Sequence, residues 1–151
     1  MVSACLKECR PLLPLTRWKD NLMNKYIVDS WAWIEYFRGS ESGAKLNDIL
    51  DDATTEVHTS SITIAEVVSK TAREGRDPNA AYEMLLSNSQ IIKVNEQISK
   101  QAGLLHAKMR ETRKDFGIAD SIVLASANSL DAKIVTGDAH FKDLKNTVLI
   151  K

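Results

Sequence analysis

The sequence predicts an α/β domain with a mostly parallel sheet and helices on both faces. Three observations carry that expectation. Short apolar runs alternate with longer stretches patterned at helical spacing, and strands that alternate with helices pair in parallel under a cover on each face. The stretch "GIADSIVLASANSL" is apolar or small on most sides, as a buried helix is. The 151 residues show no repeat, low-complexity segment or internal linker, so they form one domain with a sizeable core.

The elements follow in order. "KYIVD" is a strand, and "SWAWIEYFR" a helix that Gly39 stops. Trp33 and Phe37 share one face of that helix and belong to the core. Trp31 falls off that face, which leaves core packing and contact with a partner protein both open. "ESGAKLNDILDDA" carries Ala44, Leu46, Ile49, Leu50 and Ala53 at helical spacing. "EVHTS" is the second strand, followed by the helix "SITIAEVVSKTARE" with Gly75 as its cap. Asp77-Pro78 opens a further helix, because proline suits a first turn. "QIIKV" is the third strand, and Asn95 caps a long helix striped by Ile98, Ala102, Leu105 and Met109. After "GIADSIVLASANSL", the strands "AKIVT" and "TVLI" complete the sheet.

Lys plus Arg equals Asp plus Glu, 20 each, so no global charge marks a nucleic-acid binder. A neutral total is also what a basic rim around an acidic site would give. Cys5 and Cys9 are no disulfide framework and fit a reducing cytosol. No third thiol or histidine stands near them to complete a zinc site. No apolar stretch reaches the ~18 residues that span a bilayer. The first residues are broken by Lys7, Glu8, Arg10, Pro11 and Pro14, so they make no signal peptide. Residues 1–22 are expected to be an extension outside the fold, with the domain running from residue 23 to 151.

Ligands of open parallel sheets bind beyond the carboxyl ends of the strands. Asp29 ends the first strand and Asp138 follows the fourth, so both belong to that edge. Two further acids interrupt apolar helices that start from the same edge, Glu66 in "SITIAEVV" and Asp120 in "FGIADSIVLASA". Singly, each has a local explanation. Asp29 can cap a helix, Thr63 and Glu66 match a capping box, Asp120 complements a helix dipole, and Asp138 can start a turn. Together they are harder to explain locally, because four converging carboxylates repel and their unpaired burial is costly. A cation resolves that repulsion. Oxygen-only ligands select a hard ion, Mg²⁺ or Mn²⁺, whose usual chemistry is phosphoryl transfer. Thr136 and Ser30 are placed to orient Asp138 and Asp29, or to make only local turn and cap bonds.

In this order "YIVDS", "SITIAE", "IADSIVLASA" and "IVTGDAHF" resemble the PIN-domain ribonucleases, specifically the VapC-type toxins of toxin–antitoxin pairs. The resemblance spans Met23 to Lys151. It implies a three-layer sandwich around a five-stranded sheet, Mg²⁺-dependent cleavage of RNA, a homodimer and a cognate antitoxin. Asp29, Glu66, Asp120 and Asp138 would be its acidic residues, with Thr136 beside them. Lys108, Arg110, Arg113 and Lys114, just before Asp120, form a basic rim for RNA phosphates or else a solvated helix end. His140 and His106 are read as surface or structural residues. Two other readings stand beside this one. A non-catalytic PIN-like module would bind RNA or protein without cutting. A phosphotransfer domain would need a second acid next to Asp29, where Ser30 and Trp31 stand.

Overall fold

The computed structural model describes residues 23–151. The expectations for residues 1–22, including Cys5 and Cys9, fall outside the described residues. The chain runs β1 (Asn24–Val28), α1 (Ser30–Arg38), α2 (Glu41–Asp51), β2 (Thr55–Ser60), α3 (Ser61–Arg73), α4 (Pro78–Asn88) and β3 (Gln90–Ile92). It continues through α5 (Glu96–Arg110), α6 (Ile118–Leu130), β4 (Lys133–Thr136), a 3₁₀ turn (Ala139–Phe141) and β5 (Thr147–Leu149).

The five strands lie in the order β3-β2-β1-β4-β5, and every pairing is parallel. The chain steps outward from β1 to β3, then returns to the other side of β1 for β4. The strand order therefore reverses between β1 and β4, which is where open parallel sheets bind their ligands. Alternation along these two strands supplies both cores. Val28 and Val135, paired in register, pack with Trp33, Leu46, Val67 and Leu85 on the face covered by α1 to α4. Ile27 and Ile134, also paired, pack with Val123, Ala127 and Phe141 on the face covered by α6. A parallel sheet needs apolar side chains on both faces, and β1 and β4 provide them.

Local chemistry agrees with the sequence at most boundaries. Asn95 accepts the Ile98 N–H at 2.9 Å, and Asp77 accepts the N–H groups of Asn79 and Ala80 ahead of Pro78. Gly75 stands one residue beyond the cap of α3, which is Glu74, and takes a φ of 69°. The indole N–H of the fully buried Trp33 donates to Thr59 Oγ1 at 3.1 Å, so its polar atom is satisfied.

Gly43 sets the approach of α2 to α1. A Cβ there would stand 2.8 Å from both the Glu35 carbonyl carbon and the Tyr36 Cα, and backbone cannot swing aside. Gly43→Ala should therefore destabilise the domain by about 1–3 kcal/mol through overpacking, lowering its melting temperature by several degrees. An unchanged melting temperature would show that the two helices can part at no cost.

Candidate active site

Asp29 leaves β1 into the first turn of α1 and is only 3% exposed. It occupies the cap position of α1 without a well-formed side-chain capping bond, and the N–H groups of Ser30 and Trp31 still act on its carboxylate. Its Oδ2 accepts a hydrogen bond from Thr136 Oγ1 at 2.9 Å, across from β4. The same hydroxyl accepts the Asp138 N–H at 3.0 Å. One buried threonine thus sets both the Asp29 carboxylate and the backbone that carries Asp138, as expected for an orienting residue. Burial pushes the Asp29 pKa up to about 6, against the opposing Thr136 bond, and the charge of Asp120 adds to the rise.

Glu66 stands in the second turn of α3. The capping box expected with Thr63 does not form. Ser60 holds the cap position, and the buried Thr63 hydroxyl, already inside the helix, has no hydrogen-bond partner. Half-buried and free of that role, Glu66 has its pKa pushed up to about 7, first by burial and then by Asp29, Asp120 and Asp138. The Ser30 hydroxyl opposes that rise, while the Ser30 N–H acts on Asp29. Ser30 and Glu66 also line a cavity of ≈ 420 Å³ between α1 and α3, together with Lys70 and Arg73. These two cations carried no signal in the sequence beyond ordinary helix charges.

For Asp120 and Asp138 the local roles are real and coexist with the cluster. Asp120 Oδ2 accepts the Gly117 N–H at 3.1 Å at the start of α6, and Asp138 Oδ1 accepts the His140 N–H at 2.9 Å at the 3₁₀ turn. Burial, then the charge of Asp138, raises the Asp120 pKa against the Gly117 bond. Gly137 makes room beside them. A Cβ there would collide with the Trp31 indole, so Trp31 is half-buried over the β4 turn and is no free surface aromatic.

The sequence reading missed His140. Its Nε2 stands 3.0 Å from Asp115 Oδ2, and its Nδ1 3.3 Å from Asp120 Oδ2 and 3.5 Å from Asp138 Oδ1. Among the described residues, Asp120, Asp138 and His140 form a group whose donor atoms all lie within 4.8 Å of one another and could hold a metal ion. The only sequence signal was the position of His140, two residues after an acid at a strand end. The Asp115 bond, the largest influence, raises the His140 pKa, with Asp138 and Asp120 adding to it against partial burial. For Arg113 the sequence left open a basic rim for RNA or a solvated helix end. Arg113 donates to the His140 carbonyl and pairs with Asp143 at 3.7 Å, so it braces this turn. Lys108, Arg110 and Lys114 are exposed beside it. A cavity of ≈ 450 Å³ lined by α5 and α6 residues contains no acid and is remote in chemistry from the cluster.

The PIN domain matches residues 26–146 of the chain. No curated protein matches the sequence. Solved structures share the fold at low identity. A toxin–antitoxin complex from Klebsiella pneumoniae is 19% identical, with a TM-score of 0.68 over 83% of this chain and 98% of its own. VapBC2 from Rickettsia felis, bound to a fragment of promoter DNA, is 19% identical, with a TM-score of 0.64 over 83% and 96%. VapC20 from Mycobacterium tuberculosis, a toxin that cleaves the sarcin–ricin loop, is 16% identical, with a TM-score of 0.67 over 80% and 95%. With an all-parallel five-stranded sheet and four acids gathered at its carboxyl edge, the chain belongs to the PIN domain family.

Proposed function

We propose that the protein is a metal-dependent endoribonuclease and the toxin member of a toxin–antitoxin pair. One observation carries the reading. Asp29, Glu66, Asp120 and Asp138 arrive from four separate elements, and the first three have raised pKa values because burial and mutual charge oppose their ionisation. Hydrogen bonds alone leave that repulsion standing, while a divalent cation would remove it. The carboxylate donors suit Mg²⁺ or Mn²⁺. Bound there, such an ion would supply the means to activate a water and to neutralise the leaving oxygen of a phosphodiester.

The chain's own residues supply the rest. Asp29, Glu66, Asp120 and Asp138 would hold the ion, Thr136 fixes the Asp29 oxygen, and Ser30 restrains Glu66. Lys108, Arg110 and Lys114 on one side, and Lys70 and Arg73 on the other, would hold RNA phosphates against the acidic edge. An antitoxin would cover the same edge, and the active species would be a homodimer in the cytoplasm. Among the described residues no helix is long and apolar enough to cross a membrane. Membership in the PIN family sets phosphotransfer aside, so the remaining rival is a PIN module that binds without cutting. The domain itself is proposed to begin at Met23, one residue before β1.

The full chain should cut RNA in Mg²⁺ or Mn²⁺ and stop in EDTA. Asp29→Asn or Glu66→Gln should lower the rate by about 100-fold or more, with circular dichroism unchanged. Binding of RNA without cutting in either metal would favour the non-catalytic module. Stability should report the same carboxylates. Asp29 and Glu66 hold their protons more tightly folded than unfolded, so between about pH 4 and pH 7 the native chain carries the excess protons. Raising the pH through that window therefore costs stability, and His140 acts in the same direction. Glu35, Glu74, Asp52 and Asp115, whose pKa values are lowered, act only below about pH 5. In EDTA the protein should melt roughly 5 °C lower at pH 8 than at pH 5. A melting temperature that instead rises over this range would contradict the charge crowding.

A further inference from the structure

We propose that His140 is a nitrogen ligand of the same cation, held in register by Asp115, and that it tilts the centre towards Mn²⁺ over Mg²⁺. The inference rests on the metal-dependent reading above and adds a ligand to it. The atoms around the ring carry the argument. Asp115 Oδ2, 3.0 Å from Nε2, can only accept, so it holds a proton on Nε2 and turns Nδ1 inward. There Nδ1 meets only acceptors, Asp120 Oδ2 at 3.3 Å and Asp138 Oδ1 at 3.5 Å, which it pairs with when the ring is charged but without well-aligned hydrogen-bond geometry. It is also closed off from solvent, so water does not satisfy it. Those three atoms converge where a positive centre is needed; a proton on Nδ1 supplies it in the absence of metal, and a bound cation would take that proton's place.

The spacing suits such a centre. Two donors in adjacent octahedral positions about 2.1 Å from a metal stand roughly 3 Å apart, so the observed separations need little movement. The ring is held for the task. Phe116, fully buried, contacts it edge-on at a centroid distance of 6.1 Å. Arg113 binds its carbonyl, and its own N–H is bound by Asp138. A carboxylate behind the imidazole, as Asp115 is here, is the usual partner of a metal-ligating histidine. An all-oxygen shell discriminates weakly between Mg²⁺ and Mn²⁺, whereas an imidazole nitrogen favours the transition metal.

The test is Mn²⁺ binding to the full chain, followed by electron paramagnetic resonance with electron spin-echo envelope modulation, and by calorimetry against Mg²⁺. Bound Mn²⁺ should show the ¹⁴N coupling of a histidine ligand, and His140→Ala should abolish it, since His58 and His106 are the only other histidines. The same change should weaken Mn²⁺ by about 10-fold or more while Mg²⁺ loses a clearly smaller factor. Asp115 is largely exposed, so Asp115→Asn should fold normally, keep the coupling and weaken Mn²⁺ by less than His140→Ala does. Mn²⁺ bound without nitrogen coupling, a coupling that survives in His140→Ala, or equal losses for the two metals would overturn the role of His140 and leave the acidic centre standing. Failure of Mn²⁺ to bind at all would overturn both.

Discussion

The hydrogen bond from Thr136 to Asp29 is the interaction on which the rest of the site depends. It joins the ends of β1 and β4, neighbouring strands at the reversal of the sheet order, and both partners are buried. Because the same oxygen accepts the Asp138 N–H, the turn after β4 is positioned by the residue that positions Asp29. A hydroxyl can donate once and accept again, and here each capacity is used on a different part of the acidic edge. The two cores meet at these strands, with Val28 and Val135 on one side and Ile27 and Ile134 on the other. The polar link therefore sits on the most rigid part of the fold, where a site gains precision.

Around that link the molecule tolerates an arrangement that opposes its own stability. Burial and like charge raise the pKa values of Asp29, Glu66 and Asp120, and Thr136, Ser30, Trp31, the Gly117 N–H and His140 push back without cancelling the rise. His140 supplies a partial answer between Asp120 and Asp138. Proteins concentrate such unresolved electrostatics where they act on a ligand, and a cation is the ligand that reverses the sign of the penalty. The apolar layers carry the cost, with fully buried Trp33, Phe116 and Phe141 among their largest members.

The fold was legible because its signals are local and periodic. Alternating apolar runs gave all five strands, and Asn95 and Asp77-Pro78 marked helix starts that the structure keeps. The acids were legible for the opposite reason, as carboxylates at positions where the pattern called for apolar residues. What was not legible depends on side-chain direction in loops. Asp115 and Arg113 lie in an irregular segment and His140 in a single 3₁₀ turn, with no period to orient them, so their convergence appears only in three dimensions. Thr63 and Glu66 fit a capping pattern that fails because α3 begins at Ser61, too early for Thr63 to be its cap. Helix ends are set by the tertiary connection as much as by the local motif.

The central claim is that the buried carboxylates themselves receive the cation. Its most direct test is the number of protons released per metal ion bound, obtained by calorimetry of Mg²⁺ binding in buffers of different ionisation enthalpy. With Asp29 near 6 and Glu66 near 7, both are partly protonated at pH 6, and a cation must displace those protons. Release of about one proton or more per ion at pH 6, declining towards zero above about pH 8.5, is the predicted result. Binding with no proton release at pH 6 would mean that the ion sits elsewhere, and would contradict the account.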